Sequence, residues 1–375
     1  MKFHPLNPSD SEPYTPALVE RATSGEAAAQ FSLGTCYANG VGVDQDEQKA
    51  VSWYRKASEQ GHLLAQCNLG LCYGRGVGVE RDEKEALHWV RKAAEKGDAL
   101  AQRSLGVAYE QGLGVPRDAV KAVNWYRKSA AQGYLEGQFC LAVSYGQGFG
   151  VKKNAQKAFL WLRRAAEQGH PEAQCWLGMA YYNHTAEVEQ QDAEQRAAEQ
   201  IFRFPKTGKE EPLLTGYDAA VKWFRNAAEQ GEDGAQDMLG DCYSKGHGVP
   251  QDYGAAVEWY RKAAEKGNVN AQFSLAICCY HGRGTEKNQR QAVFWWRKAA
   301  EQGLAEAQRN LGICHESGTG VQKSLVDSYK WYNVAAAQGN EDAAKYRDEL
   351  ESKMSLPDIS RAQQLSTEFM ERSES

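Results

Sequence analysis

Ala101-Gln102-Arg103-Ser104-Leu105-Gly106-Val107-Ala108-Tyr109 is the stretch that decides the fold. Ala101, Leu105 and Tyr109 fall at i, i+4 and i+8, one face of a helix. Gly112 and Gly114 end that helix, since glycine takes the left-handed geometry of a C-terminal cap. Asp118 follows as an N-cap, its carboxylate accepting from the open N–H groups of a second helix. That helix carries Ala122, Trp125, Tyr126 and Ala130 and stops at Gly133.

The same grammar recurs along the chain. Take Gly106 as an anchor: Gly34, Gly70, Gly106, Ala142 and Gly178 are 36 residues apart, and Gly240, Ala276 and Gly312 continue at 36. The step from Gly178 to Gly240 is 62, so 26 extra residues enter there. The N-cap position holds Asp46, Asp82, Asp118, Asn154, Asp252, Asn288 and Ser324, all good capping types. A fixed period in this range signals a solenoid whose units bury their apolar faces only by stacking. The expectation is an all-α, right-handed α/α superhelical solenoid of about eight 36-residue two-helix repeats with helical caps and one insertion in the fifth repeat. Residues 1–25 form a tail and half-repeat cap, with Thr15-Pro16 opening its helix. Residues 26–340 form the solenoid, with the insertion at about 183–216. Residues 341–375 form C-terminal helices, the last opened by a Ser355–Asp358 capping box.

The unit Ala65-Gln66-x-x-Leu69-Gly70-x-x-Tyr73-x-x-Gly76-x-Gly78-Val79, then Lys84-x-Ala86-x-x-Trp89-x-x-Lys92-Ala93-Ala94-Glu95-x-Gly97, resembles the Sel-one-like repeat (SLR) of the tetratricopeptide-like solenoid superfamily, a match typical of bacterial chains. The resemblance implies an adaptor that binds proteins and transfers no catalytic residue. It also implies an alternative, because some bacterial members resemble immunity proteins or antitoxins that occlude a secreted toxin or effector, a type VI lipase for example. This chain departs from the pattern at the long fifth unit, at Ala142 and Ala276, and at His315 in the usual tyrosine position.

Candidate chemistry reads mostly as packing. Trp53, Trp89, Trp125, Trp161, Trp223, Trp259, Trp295 and Trp331 share one repeat position, which a ligand would not need in every unit. Trp176 and Trp296 break the pattern and are surface candidates. Cys278, Cys279, His281, Cys314 and His315 invite a metal reading. Yet Cys36, Cys72, Cys242, Cys278 and Cys314 share one position with Ala108, Ser144 and Ala180, so smallness is the common property. No C-x-x-C pair exists, and no metal or other cofactor is expected. Nine cysteines without pairing within units point to a reducing compartment. Pairs such as Arg55-Lys56 and Arg91-Lys92 look like a basic stripe, but Arg55–Glu59, Arg91–Glu95, Arg261–Glu265 and Arg297–Glu301 sit at i, i+4 and read as a salt-bridged face. No nucleotide-loop, metalloprotease or serine-hydrolase motif is present.

The bulk numbers agree. A net charge of −5 gives no general attraction to nucleic acid or anionic lipid. No stretch is apolar enough to span a bilayer and Met1 to Tyr14 is no signal peptide, so the cytoplasm is expected, or the periplasm or exterior if a leader has been removed. No small-molecule substrate is expected, an RNA reader is the distant alternative, and an enzyme ranks last.

A partner surface is expected where residues vary inside the fixed frame. Three residues before the anchor and five after it lie opposite the repeated face of the first helix. These positions supply Phe31, Arg103, Phe139, Phe273 and Arg309, and Arg75, Gln111, Gln147, Lys245 and His281, as a concave groove for a protein partner. The insertion is expected to fold over the groove edge. Residues 186–201 are strong helix formers, Pro205, Gly208 and Pro212 break the return, and Phe202, Phe204, Leu213 and Leu214 are its candidate contacts.

Overall fold

In a computed structural model, residues 12–192 and 216–374 are described. The chain divides into two compact units, Met1–Ala173 and Gln174–Ser375. All nineteen described elements are α-helices, and within each unit consecutive helices pack on one another, so the fold is an all-α solenoid.

The first unit opens with α1 (Pro16–Thr23), where the Thr15 hydroxyl accepts from Leu18 N at 3.1 Å and proline follows the cap. Four pairs follow: α2 (Ala27–Asn39) with α3 (Glu47–Glu59), α4 (Leu63–Arg75) with α5 (Glu83–Glu95), α6 (Ala99–Gln111) with α7 (Ala119–Ala131), and α8 (Leu135–Gln147) with α9 (Ala155–Glu167). α10 (Pro171–Asp192) begins at the end of this unit and belongs mainly to the next. The second unit pairs it with α11 (Tyr217–Glu229), then α12 (Asp233–Lys245) with α13 (Tyr253–Glu265), α14 (Val269–His281) with α15 (Gln289–Glu301), and α16 (Ala305–Ser317) with α17 (Leu325–Ala337). α18 (Glu341–Glu351) and α19 (Leu356–Glu374) close the chain, α19 on a cap in which Asp358 N donates to Ser355 Oγ at 3.3 Å. Each expected second-helix N-cap from Asp46 to Ser324 accepts a backbone N–H.

α10 is 22 residues long where its counterparts have 13. His184 and Ala186 replace the two loop glycines, so nothing stops the helix there and it runs on through the helix formers that follow. The remaining insertion contacts, Phe202, Phe204, Leu213 and Leu214, lie outside the described residues.

Three contacts explain the repeat. The anchor glycine leaves room for the residue after the tryptophan: a Cβ on Gly106 would stand 2.4 Å from the Tyr126 ring, and one on Gly240 would stand 2.6 Å from Tyr260. The second loop glycine has a positive φ and lies against the preceding pair, so a Cβ on Gly78 would meet the Glu47 carbonyl at 2.3 Å. The repeated glutamine then ties three helices. Gln102 Nε2 donates to the Ala94 carbonyl at the end of α5, and its Oε1 accepts from Gln132 Nε2, just past α7, at 2.8 Å. The same amide pair forms at Gln60–Gln30, Gln168–Gln138, Gln230–Gln174, Gln302–Gln272 and Gln338–Gln308. Two links are missing. Lys96 and Lys266 replace the second glutamine, and Oε1 of Gln66 and of Gln236 is buried without a donor.

Candidate functional site

The first helices of the pairs hold the frame inward and vary outward. Leu33, Leu69, Leu105, Leu141, Leu177, Leu239, Leu275 and Leu311 are fully buried. Five residues after the anchor the row opens to solvent. Gln111 and Gln147 are exposed and Arg75 half-exposed in the first unit, and Lys245 and His281 are exposed in the second.

The position three before the anchor behaves differently from expectation. Phe31 is 4% exposed and stacks on the His62 ring at 4.7 Å, so it is a packing residue and not a surface one. Phe139 is half-buried and stacks on His170 at 4.7 Å. Cys67, at the same position, donates its thiol to Asp98 at 3.2 Å. Each partner lies 31 residues on, at the N-cap of the next first helix. An isolated helical wheel calls this flank solvated, but in a stack the next pair's entry turn covers it. Arg103, Phe273 and Arg309 are half-buried here. Phe273 packs on the core of α13 to α16, and Arg309 pairs with Asp342 at 3.1 Å.

Sequence reasoning missed a polar link between the core and this face. The buried tyrosine that lies on the anchor glycine sends its hydroxyl to a variable residue of the first helix. Tyr54 donates to Thr35 at 3.4 Å, Tyr126 to Glu110, Tyr260 to Asp241 at 2.7 Å, and Tyr332 to Glu316 at 3.1 Å. The signal was there to be read. Where that position is Val90, Leu162, Phe224 or Trp296, the equivalent first-helix residues (Leu71 and Gly74, Val143 and Gly146, Met179 and Tyr182, Ile277 and Tyr280) include no acid or small hydroxyl.

On the second helices the repeated tryptophans are packing residues, though most are half-buried. Trp89, Trp125 and Trp161 each pack on the core of the preceding pair. A cation three residues on covers the outer ring face: Lys56 lies 4.0 Å from the Trp53 centroid, Lys128 3.9 Å from Trp125, and Lys262 4.0 Å from Trp259. This accounts for the lysine of four Arg-Lys pairs, with Lys92 over Trp89 as the fourth, while Lys298 lies over Phe294 instead. Arg55 donates to the Tyr73 hydroxyl at 2.6 Å and not to Glu59, while the i, i+4 bridge forms at Arg163–Glu167. Trp296, expected at the surface, is 4% exposed, because it stands at the repeat position that tyrosine holds elsewhere and belongs to the core of the α13 to α17 helices. Trp176 is 47% exposed.

The cysteines sit as free thiols, and all but the half-buried Cys140 are buried. Burial raises the Cys72, Cys278 and Cys314 thiols to about 11, and burial with the neighbouring Asp241 carboxylate raises Cys242 to about 12. Such thiols are poor nucleophiles at neutral pH. Among the described residues no group of three or more His, Cys, Asp or Glu side chains is arranged to hold a metal ion. No described helix is long and apolar enough to cross a membrane.

A family model for the Sel1 repeat matches nine stretches: 27–62, 63–98, 99–134, 135–170, 171–200, 213–232, 234–268, 269–304 and 305–340. The chain belongs to the Sel1 repeat family. Its fifth and sixth matched stretches carry α10 and α11, the two helices that the insertion separates. Among solved structures, a protective antigen present in uropathogenic Escherichia coli strains and displaying an SLR fold is 33% identical, covering 94% of this chain and 78% of that one, with a TM-score of 0.49. A Sel1 repeat protein from Oxalobacter formigenes is 29% identical over 89% of this chain and 90% of that one, with a TM-score of 0.59. An immunity protein from Pseudomonas aeruginosa is 20% identical over 72% and 89%, with a TM-score of 0.39. No curated protein matches significantly. Sel1 repeat proteins are protein-interaction scaffolds.

Proposed function

We propose that this Sel1 repeat chain is a non-enzymatic scaffold that binds a protein partner along the outward face of its first helices. One observation carries the reading. The frame residues are buried in every pair, while the row five after the anchor is solvent-facing and differs from pair to pair: Arg75, Gln111 and Gln147 in the first unit, Lys245 and His281 in the second. Side chains outside the buried frame can vary from pair to pair without disturbing it, which leaves them available for recognition. Arg103, Phe139, Phe273 and Arg309 flank this row and set its local relief. The insertion, with Phe202, Phe204, Leu213 and Leu214, adds a second contact on sequence grounds, because its apolar residues have no repeat position to fill.

The test is affinity capture from the native cell with three proteins: the parent, a variant carrying Arg75→Glu, Gln111→Ala, Gln147→Ala, Lys245→Glu and His281→Ala, and a variant with residues 187–211 replaced by a Gly-Ser link. The parent captures a discrete protein, and the row variant loses it while keeping its melting temperature. Retention of the same partner by the row variant overturns the reading. Capture of RNA in place of protein moves the chain to the other class of helical-repeat binder. If the captured protein is a secreted toxin, the scaffold acts as an immunity protein.

A further inference from the structure

The first-helix faces of the two units differ in a way that the repeat frame does not require. The positions two before and one after the anchor share one side of the helix, and the position five after it follows a turn later. In the first unit the position two before holds Ser32, Asn68, Ser104 and Cys140, and no exposed large apolar side chain of that unit stands at either position. In the second unit the two positions hold Trp176 and Met238, then Ile277 and Ile313. α18 continues the row. Ala343 lies 36 residues after Ala307 and both are fully buried, so α18 keeps the register and sets Tyr346 two before its anchor position. Trp176 is 47% exposed, Ile313 38% and Tyr346 38%, while Met238 and Ile277 are half-buried. The buried Tyr332 ring steadies Tyr346 from 5.5 Å. Ser274 and Asn310 are small interruptions, and Asp241 is already held by Tyr260 and Lys245. The second unit thus presents an apolar floor to solvent across α10, α12, α14, α16 and α18, with polar residues around it, the mark of an interaction surface.

Charges of opposite sign border this floor. Acids stand in the first turns of α12, α16 and α18, as Asp233, Glu306 and Glu341 with Asp342. Lys245, His281 and Lys353 stand at the other ends of α12, α14 and α18. Asn268 holds Asp233, Arg309 holds Asp342, and Glu316 lies 3.5 Å from Lys353. The helix dipoles offset the two borders only in part, by about half a unit charge at each end. A helix with an apolar stripe between a basic and an acidic flank is complementary to such a surface. One heptad of helix rises about 10.5 Å, close to the roughly 10 Å between packed helices, so successive stripe residues meet successive first helices. An extended segment would set its own N–H and C=O groups against Met238, Ile277 and Ile313, whereas a helix satisfies them internally. We infer that the Trp176–Tyr346 floor of the second unit is the docking site for an amphipathic α-helix of a protein partner. The inference rests on the reading that the outward face of the first helices binds protein, and it names the form and chemistry of the segment bound.

The full chain is titrated with three fluorescent peptides of matched length, and binding is read by anisotropy. The first has leucine at the a and d positions of successive heptads, lysine along one flank and glutamate along the other. The second scrambles that composition, and the third keeps the stripe but carries two central prolines. The parent binds the striped peptide at least about ten-fold more tightly than either control. Trp176→Ala and Ile313→Asp, each checked by its melting curve, weaken binding about ten-fold, as loss of a central anchor does. Val120→Asp alters a 59% exposed apolar residue off this face and leaves binding unchanged. Equal binding of the striped and scrambled peptides, or of the striped and proline peptides, overturns the assignment, as does equal weakening by Val120→Asp. Sedimentation velocity adds a further check: a parent dimer that Ile313→Asp dissociates would give the floor to a second copy of the chain and overturn it too. With the native partner, loss by the row variant together with retention by Trp176→Ala and Ile313→Asp sinks the floor alone. Retention by all three sinks the scaffold reading beneath it.

Discussion

α6 in the first unit and α12 in the second are the same helix of the repeat, and they carry opposite charges on one frame. Each buries a leucine, Leu105 or Leu239, and sets a glycine under a tyrosine ring, Gly106 under Tyr126 or Gly240 under Tyr260. Each ends at a left-handed glycine, Gly112 or Gly246. Three residues before the anchor they part: Arg103 in one, Asp237 in the other. Both side chains keep a buried polar atom without a partner, Nε in Arg103 and Oδ1 in Asp237. Four residues on, the contrast continues with Val107 against Asp241. Packing fixes the frame and tolerates a reversal of charge beside it, which separates what the fold requires from what recognition can choose.

The comparison breaks most directly at the shared frame. Leu105→Ala and Leu239→Ala should each cost about 3 kcal/mol, because both side chains are fully buried and leave a cavity. Denaturant unfolding with local probes in each unit should give similar losses. A near-neutral result at either position would mean that the two helices do not share one frame.

The charge reversal itself is tested by pH. Asp237 has its carboxyl raised in the folded chain, so between about pH 4 and 7 the folded state binds more protons than the unfolded one. Stability present at low pH is lost as pH rises through that window. Asp237→Asn should remove the loss and stabilise the chain at pH 8 by on the order of 2 kcal/mol, with little change at pH 4. Urea midpoints at the two pH values decide it, and a parent curve flat with pH would contradict the placement of this acid.

A smaller effect sharpens the comparison at the glutamine links. α6 has a closed link through Gln132, while α12 has Lys266 there and Gln236 Oε1 stays unsatisfied. Lys266→Gln should add about 1 kcal/mol, the net worth of one buried hydrogen bond, and Lys96→Gln should do the same for Gln66. Gln132→Lys should subtract a similar amount. The smallest effect is kinetic. Cys242, beside Asp241, should react with a thiol-alkylating reagent more slowly in the native chain than the half-buried Cys140, while unfolding without reductant should expose all nine thiols.

Much of the frame was legible in the sequence because it depends on local chemistry. N-caps, glycine stops and the i, i+4 apolar faces each follow from neighbours within one turn, and Asp118 or Gly112 reads the same in isolation as in the fold. The exposed row at Gln111, Gln147, Lys245 and His281 was legible for the same reason. What was lost depends on the next repeat. Phe31 looked outward until the turn at His62 covered it, and Trp296 looked irregular although it occupies the buried tyrosine position of its pair. The Arg55–Glu59 spacing promised a bridge, but Tyr73 on the following helix offered the nearer acceptor. The polar ends of Tyr126 and Tyr260 escaped because their partners are identified only by comparing positions 16 and 19 residues apart.

The missing amide links have a kinetic meaning. Gln66 and Gln236 each still bind the helix before them, through the Ser58 and Ala228 carbonyls, but hold nothing at the end of the helix after them. A linear array of nearest-neighbour contacts opens first at its weakest junction. Amide hydrogens at the ends of α5 and α13 should therefore exchange with solvent before those at the ends of α7 and α15, and each solenoid unit would carry a crease at which it begins to come apart.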